Sequence, residues 1–202
     1  MNVFPAYAAS VELFPKEGVA FEHLEELFYR IERVDYSYQV NDPLVNQGQI
    51  ASDFDDRLEL EMQKHGATHC ELSMPAGVPQ QLDFAFKFAD KVAAVEIEKT
   101  NREKILRDIL KCHMYLQAGA DFAVVGLPKN YPHSRGLWNL YEFGVQRFSE
   151  CRTYGFGTPD NLNRILLLGF EQFDTATHRP LDVVWRKRVR KEAASSVAGV
   201  GE

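Results

Sequence analysis

The sequence has no long apolar run and few cysteines, which excludes several classes of protein. None of its apolar segments reaches the roughly 20 residues that a transmembrane helix requires. Its first residues lack the basic start and the long apolar stretch of a signal peptide. The three cysteines, Cys70, Cys112 and Cys151, are an odd number and form no C-x-x-C pair. We therefore expect a cytoplasmic protein with free, buried thiols.

Several functional signatures are also missing. The sequence has no phosphate-binding P-loop, no dinucleotide fingerprint and no Gly-x-Ser-x-Gly motif. The adjacent pairs His69–Cys70 and Cys112–His113 lack the spacing of a zinc site, and His113 is expected to be a hydrogen-bonded core histidine. The formal net charge of -6 argues against a protein that simply coats nucleic acid, because such proteins are normally basic. It does not exclude a nuclease.

The remaining pattern predicts one α/β domain. A length of 202 residues with 45% hydrophobic residues suits a single domain with a substantial core. In the first half of the chain, apolar periodicity predicts a strand (2–6), a helix (21–33), a loop (35–48), a helix that begins after the N-cap Ser52 and ends at Gly66, a strand (68–74) and a Pro/Gly turn (75–79). A hairpin follows, and then a helix (102–118), a strand (121–127), a loop (128–136), a helix (137–151) and a strand (165–170). We expect a mixed β-sheet with helices on both sides.

The predicted domain covers residues 1–185, and residues 186–202 are expected to be a basic, flexible C-terminal tail. The run WRKRVRK is the densest group of cations in the chain. It is either a solvated helix end or tail, or a set of phosphate contacts.

The most informative stretch is 81–127, which places acidic residues on two neighbouring strands. Asp83 lies on one short apolar run, and Glu96 and Glu98 lie on the next. Because side chains alternate along a strand, Glu96 and Glu98 share a face, and Lys99 points to the other. Pairing of the two runs as a hairpin would bring Asp83 close to both glutamates. Three converging carboxylates repel one another unless a hard cation neutralises them.

This arrangement predicts a magnesium site for phosphodiester hydrolysis. Asp83, Glu96 and a backbone carbonyl, that of Ile97, would bind Mg²⁺, and Mn²⁺ should substitute for it. Such an ion would polarise a phosphoryl oxygen and activate a water molecule. Glu98 would either order or deprotonate that water, or serve as a further ligand. The competing interpretation is a set of solvated charges on an edge hairpin.

The same residues carry a resemblance to a known family. The LD-x(12)-EIE pattern resembles the core of the PD-(D/E)xK nuclease superfamily. The segments VNQGQIASDFDDRLELEMQKHGA and DFAFKFADKVAAVEIEKTNREKILRDILKCHMYLQAGADFAVVGLP are similar in order and spacing to type II restriction endonucleases of the BglII/BstYI group, which is related to BamHI. The resemblance implies a restriction-endonuclease-like fold. It also implies a homodimer that cuts double-stranded DNA at a short palindrome with a GATC core, and a cognate methyltransferase.

The resemblance also assigns roles to individual residues. Asp83 and Glu96 match the metal-binding acidic residues of the family. Glu98 stands where most of the superfamily has lysine, the BglII group has glutamine and BamHI has glutamate. Lys99 lies one residue too late to be catalytic. Asn101 matches an asparagine that contacts bases in BglII and BamHI, and its alternative role is a helix N-cap.

Further candidates for phosphate or base contacts lie near the predicted acidic site. They are Arg102, Arg107, Lys129, Asn130, His133, Ser134 and Arg135. Two other functions are compatible with the same core. One is a non-cleaving DNA-binding or regulatory protein, and the other is a repair or structure-specific nuclease.

Overall fold

The computed structural model describes residues 2–40, 50–73 and 82–198. In chain order its elements are β1 (Asn2–Phe14), α1 (Val19–Tyr29), β2 (Val34–Val40), β3 (Ile50–Ser52), α2 (Phe54–Lys64), β4 (Thr68–Cys70), β5 (Phe84–Phe88), β6 (Lys91–Ile97), α3 (Lys104–Gln117), β7 (Phe122–Pro128), β8 (Tyr131–His133), β9 (Gly136–Trp138), α4 (Leu140–Tyr154), α5 (Pro159–Leu162), β10 (Ile165–Asp174) and α6 (Val183–Ala198). Eight strands form one sheet in the order β3-β2-β1-β10-β7-β6-β5-β4, while β8 and β9 pair separately.

The centre of the sheet is parallel and the flanks are antiparallel. Strands β6, β7 and β10 run in the same direction, and every residue of β7 is buried, as expected for a strand covered on both faces. Helix α3 connects β6 to β7 as the crossover of a β-α-β unit. The carboxyl ends of these three strands therefore meet at one edge of the sheet, where ligand sites of open α/β sheets commonly lie.

Helices cover both faces of this sheet, so the predicted mixed α/β architecture is confirmed. One core joins the sheet to α1, α2 and α6 through residues such as Phe28, Phe54 and Trp185. The opposite core joins it to α3 and α4 through residues such as Tyr115 and Phe148. No helix in the described part of the chain is both long and apolar enough to cross a membrane.

The predicted hairpin is confirmed, with β5 and β6 paired antiparallel. Its turn consists of Ala89 and Asp90, whose φ angles are 46° and 62°. Two consecutive left-handed residues give a tight connection whose twist matches that of the strands. The turn therefore fixes which residues of β5 and β6 face each other.

Several predicted boundaries are wrong. Residues 35–40 belong to strand β2 rather than to a loop, because Tyr36 and Tyr38 bury their rings and both hydroxyls donate to the Gln172 side chain. The first strand runs to Phe14, and β10 runs to Asp174. The predicted loop 128–136 contains β8 and the start of β9. The rest of the first predicted loop, the QGQ of the VNQGQI segment and the Pro/Gly turn lie outside the described residues.

Residues 186–198 are not a flexible tail, because they belong to helix α6. Trp185, Val189 and Ala193 lie on the buried side of this helix and pack in the core. Asp174, at the end of β10, accepts hydrogen bonds from Trp185 Nε1 (2.8 Å) and from Arg188. The Thr177 backbone N–H donates to the same carboxylate at 2.8 Å. These contacts attach α6 to the central sheet.

The attachment of α6 predicts a pH-dependent stability. Burial tends to raise the pKa of Asp174, but its hydrogen bonds from Thr177 and Arg188 hold that pKa below the ordinary value. A carboxyl with a lowered folded pKa stabilises the protein above its unfolded pKa of about 3.9, and this contribution disappears as the pH falls through the folded pKa. Asp174→Asn should therefore lower the free energy of unfolding at neutral pH by about 1–3 kcal/mol. Urea denaturation of both proteins should show this difference shrinking below about pH 4; a constant difference would contradict it.

Candidate functional site

The candidate site lies where the β5–β6 hairpin reaches the carboxyl edge of the sheet. Asp83 directly precedes β5, and its backbone N–H donates to the Val95 carbonyl oxygen at 3.1 Å. Its side-chain Oδ2 accepts the backbone N–H of Ile97 at 2.6 Å. Because the N–H and C=O groups of one strand residue point to the same edge, the Ile97 carbonyl also faces Asp83. The hairpin therefore brings Asp83 against the end of β6, as its pairing predicts.

Glu96 is buried on the face of β6 that α3 covers. Its Oε2 lies 2.6 Å from Lys111 Nζ, and its Oε1 accepts a hydrogen bond from the Tyr115 hydroxyl. Glu96 and Lys111 are only 7% and 8% exposed, so this is an ion pair removed from water. Burial raises the pKa of Glu96, the bonds from Lys111 and Tyr115 oppose that rise, and the charge of Asp83 adds to it. The Lys111 ammonium is therefore the main group that favours the ionised form of Glu96.

Glu98 is also buried, but its carboxylate turns back onto the chain that follows it. Its Oε1 accepts the backbone N–H groups of Thr100 at 2.8 Å and Asn101 at 2.9 Å. The Thr100 hydroxyl donates to the same oxygen at 3.2 Å. These three bonds close the turn between β6 and α3. The observed contacts of Glu98 are therefore those of a turn-forming residue.

The predicted convergence of three carboxylates does not occur within the described residues. No group of three or more His, Cys, Asp or Glu side chains is arranged there to hold a metal ion. Asp83 contacts the backbone of Ile97 and its charge acts on Glu96, while the Glu98 carboxylate is engaged in the turn. The prediction that Lys99 faces away from Glu98 is confirmed, because its Nζ lies 2.7 Å from Asp55 Oδ2 on α2, on the opposite face of the sheet.

Two carboxylates and one carbonyl still suit a magnesium ion. Mg²⁺ binds oxygen ligands, commonly takes only one or two protein carboxylates, and keeps several waters. Asp83, Glu96 and the Ile97 carbonyl supply such oxygens. A carboxylate has about four acceptor positions, so the bonds from Lys111 and Tyr115 leave acceptor positions of Glu96 free for a metal ion. A divalent cation would also offset the repulsion between Asp83 and Glu96.

Asn101 lies in the turn that leads into α3. Its side-chain Oδ1 accepts the backbone N–H of Glu103 at 2.9 Å, one residue before α3 starts. The N-cap position of α3 is Glu103, and no side chain caps it, so Asn101 stabilises the turn before the helix rather than the helix end itself. The bond occupies only the side-chain oxygen of Asn101 and leaves its amide nitrogen available for a base contact.

The predicted DNA-contacting residues occupy different environments. Arg102, Ser134 and Arg135 are exposed. Arg107 is also exposed, and its guanidinium lies 3.6 Å from the buried Asp108 carboxylate. Lys129 Nζ is 2.6 Å from Glu12 Oε2 on β1. A DNA contact from Lys129 would therefore compete with an existing ion pair.

Asn130 does not reach the surface, and its prediction as a DNA contact is wrong. The side chain is 5% exposed. Its Nδ2 donates to the carbonyls of Gln172 (2.8 Å) and Leu181 (3.2 Å), and its Oδ1 accepts the Gln172 N–H at 2.7 Å. These bonds connect the segment after β7 to β10 and to the residues before α6. Asn130 is therefore a structural residue.

The cysteines and His113 show no sign of metal ligation. Cys112 and Cys151 are buried, Cys70 is half-buried, and all three thiols are free. His113 is half-buried against Gly157, and its Nε2 is buried without a hydrogen bond, contrary to the prediction of a bonded core histidine. Burial lowers its pKa, which favours the neutral ring.

Sequence reasoning missed the polar face of α3. Asp108, Lys111 and Tyr115 are buried, whereas the apolar Leu106 and Leu110 are 39% and 44% exposed. The three polar residues recur at helical spacing, so they lie on one face. The spacing of these polar residues could have indicated a shared, functional face. However, a polar stripe on a helix normally indicates a face in contact with solvent.

Comparison of the chain with known protein families finds no matching family, and comparison with curated proteins finds no match.

The ion pair predicts strongly non-additive mutations. Lys111→Met should lower the free energy of unfolding by about 3–5 kcal/mol, because it leaves Glu96 buried without its cation. Combining it with Glu96→Gln should cost clearly less than the sum of the single changes, since neither charge then remains unpaired. Urea denaturation of the four proteins measures this coupling. Lys104→Met, at the exposed start of the same helix, is the control and should change stability by less than about 0.5 kcal/mol. Additive effects of the two site mutations would contradict the pairing.

Proposed function

We propose that this chain is a Mg²⁺-dependent type II site-specific endonuclease of the BglII/BstYI group, with the restriction-endonuclease-like fold. The observation that carries the proposal is the placement of Asp83 beside Glu96 and Ile97 across the β5–β6 hairpin. The sequence resemblance covers the same hairpin and continues through α3 and β7. The substrate would be the phosphodiester backbone of double-stranded DNA.

In the proposed mechanism, the hairpin positions the ligands and α3 keeps Glu96 in place. Asp83, Glu96 and the Ile97 carbonyl would hold Mg²⁺, or Mn²⁺ in its place. When bound, the ion neutralises phosphate charge and activates a water molecule for attack on phosphorus. Lys111 and Tyr115 hold the Glu96 carboxylate in one orientation before the ion and the DNA arrive, which reduces the reorganisation needed for the reaction.

The proposal includes a homodimer acting on a palindrome. A two-fold symmetric protein matches a two-fold symmetric site, and each subunit would cut one strand. The resemblance favours a GATC core, with a methyltransferase that protects the host DNA.

Two alternatives remain distinguishable by experiment. A non-cleaving DNA-binding or regulatory protein would have no use for the Asp83–Glu96 pair, in which burial raises the pKa of Glu96 and the charge of Asp83 adds to that rise. A repair or structure-specific nuclease would keep the pair but would not cut at a fixed sequence. Incubation of the purified protein with plasmid or phage DNA and Mg²⁺ separates the three: discrete fragments support the proposal, intact DNA supports the first alternative, and random or structure-dependent degradation supports the second.

Asp83→Asn should abolish cleavage while duplex binding in Ca²⁺ persists, because it removes a charged ligand but keeps a similar shape. The control is Asp90→Asn in the turn of the same hairpin, where the Asp90 side chain is 96% exposed. This control should cut like the unaltered protein. Near-normal cleavage by Asp83→Asn would remove the proposed metal site from consideration.

Two substitutions separate the alternative roles of Asn101. Asn101→Ala removes the bond to Glu103 and should lower the free energy of unfolding by about 1 kcal/mol, in the range of one lost intramolecular hydrogen bond. Asn101→Asp keeps an oxygen for that bond and should be nearly as stable as the unaltered protein. If the amide nitrogen reads a base, Asn101→Asp should still lose discrimination between a GATC-centred duplex and a one-base variant, by about 1–3 kcal/mol. Measurement of melting temperature and of binding to both duplexes decides the matter; unchanged discrimination leaves Asn101 as a residue that only stabilises the turn before α3.

A further inference from the structure

A strip of cations and aromatic rings crosses the β8–β9 hairpin. The Arg102 guanidinium carbon lies 5.5 Å from the centre of the Trp138 ring. The Trp138 ring stacks on His133, with 3.7 Å between ring centres and 16° between planes. Arg135 follows in the exposed turn, and its backbone N–H donates to His133 Nδ1 at 3.2 Å. The β8–β9 hairpin thus brings Arg102, which precedes α3, onto the same surface as its own Arg135.

Helix α6 extends this strip on the other side of the hairpin. The Arg186 guanidinium donates to the Pro132 carbonyl at 2.8 Å and to the Tyr131 hydroxyl at 3.3 Å. Arg190 follows four residues later, so it lies on the same side of α6. Lys191 lies about 100° further around the helix and points away from the hairpin.

The cations of the strip lie close enough to influence one another. Arg190 is exposed, but the partial burial of its guanidinium lowers its pKa, and the nearby charge of Arg186 lowers that pKa further. Burial likewise lowers the pKa of His133, with additional effects from Arg186 and Arg135. Like charges held together on a rigid surface repel one another, so an anion that lies against them would be bound favourably.

The strip adjoins the edge of the sheet that carries the candidate site. A cavity of about 170 Å³ lies between the end of β6 and α6, and Lys99, Thr100, Tyr131 and Arg186 are among its lining residues. Thr100 belongs to the turn that Glu98 closes. A duplex placed with one phosphate at Asp83 and Glu96 would therefore have other phosphates within reach of the hairpin and α6.

We propose that Arg135 and Arg190 contact the phosphates of a DNA duplex and that α6 is a phosphate-binding helix. The inference rests on the proposed function, and it adds an element to the DNA-binding surface. Arginine suits this contact, because its planar guanidinium presents several donors that match phosphate oxygens. Such contacts position the duplex and carry no sequence information directly.

The test is the salt dependence of duplex binding in Ca²⁺. Fluorescence anisotropy with a short GATC-centred duplex gives the slope of log binding constant against log salt concentration, whose magnitude is about 0.9 for each phosphate that the protein neutralises. In the proposed homodimer each substitution removes one phosphate contact from each subunit, so Arg135→Gln and Arg190→Gln should each reduce the slope by about 1.8, and the double variant by about 3.6. Arg190→Lys should retain most of the slope. Lys191→Gln, which removes one positive charge from the same helix, should leave the slope unchanged.

The outcomes separate this inference from the proposed function. Suppose that the unaltered protein binds the duplex and cuts it with Mg²⁺, but the double variant keeps the original slope. The proposal that α6 binds phosphates is then wrong, and the nuclease proposal stands. If the unaltered protein binds no duplex, both proposals fail. Circular dichroism of each variant checks that the fold is intact, which is expected because both arginines are exposed.

Discussion

The buried pair of Glu96 and Lys111 is the interaction on which the rest of the site depends. Removing a carboxylate and an ammonium from water costs several kcal/mol per ion, and this cost is offset only when the two groups meet in good geometry with further hydrogen bonds. Lys111 and Tyr115 can reach the Glu96 carboxylate only if α3 turns its polar face toward β6. The pair therefore sets the rotation of α3, and Leu106 and Leu110 face outward as a consequence.

The same constraint connects the sheet topology to the proposed chemistry. Glu96 lies near the end of a central parallel strand, where the hairpin also delivers Asp83. The ends of the neighbouring parallel strands lead to the β8–β9 hairpin and, through Asp174, to the attachment of α6. One edge of the sheet thus combines an acidic pair, which suits a cation, with a basic strip, which suits a polyanion. Phosphodiester cleavage requires both kinds of surface close together.

The local parts of this structure were predictable from the sequence. Period-two alternation and a tight turn predict the hairpin, and therefore the approach of Asp83 to Glu96. The features that were missed depend on partners far along the chain. The polar residues of β2 can form a buried strand because Gln172 accepts hydrogen bonds from the hydroxyls of its two tyrosines. The basic C-terminal segment packs as a helix because Asp174 accepts hydrogen bonds from Trp185 and Arg188. Glu98 does not join Asp83 and Glu96 as predicted, because the backbone turns directly after β6 and its N–H groups bind the Glu98 carboxylate. Strand alternation predicts the face on which a side chain lies, but it does not predict such a turn.

A crystal of the protein with a short duplex and Mn²⁺, studied by anomalous scattering, tests the proposed metal site most directly. We expect a metal peak within ligand distance of the Asp83 and Glu96 carboxylates and the Ile97 carbonyl, with Lys111 still bound to Glu96. A metal ion bound by Glu98 and not by Asp83 would contradict the proposed site. So would a bound duplex with no metal ion beside Asp83.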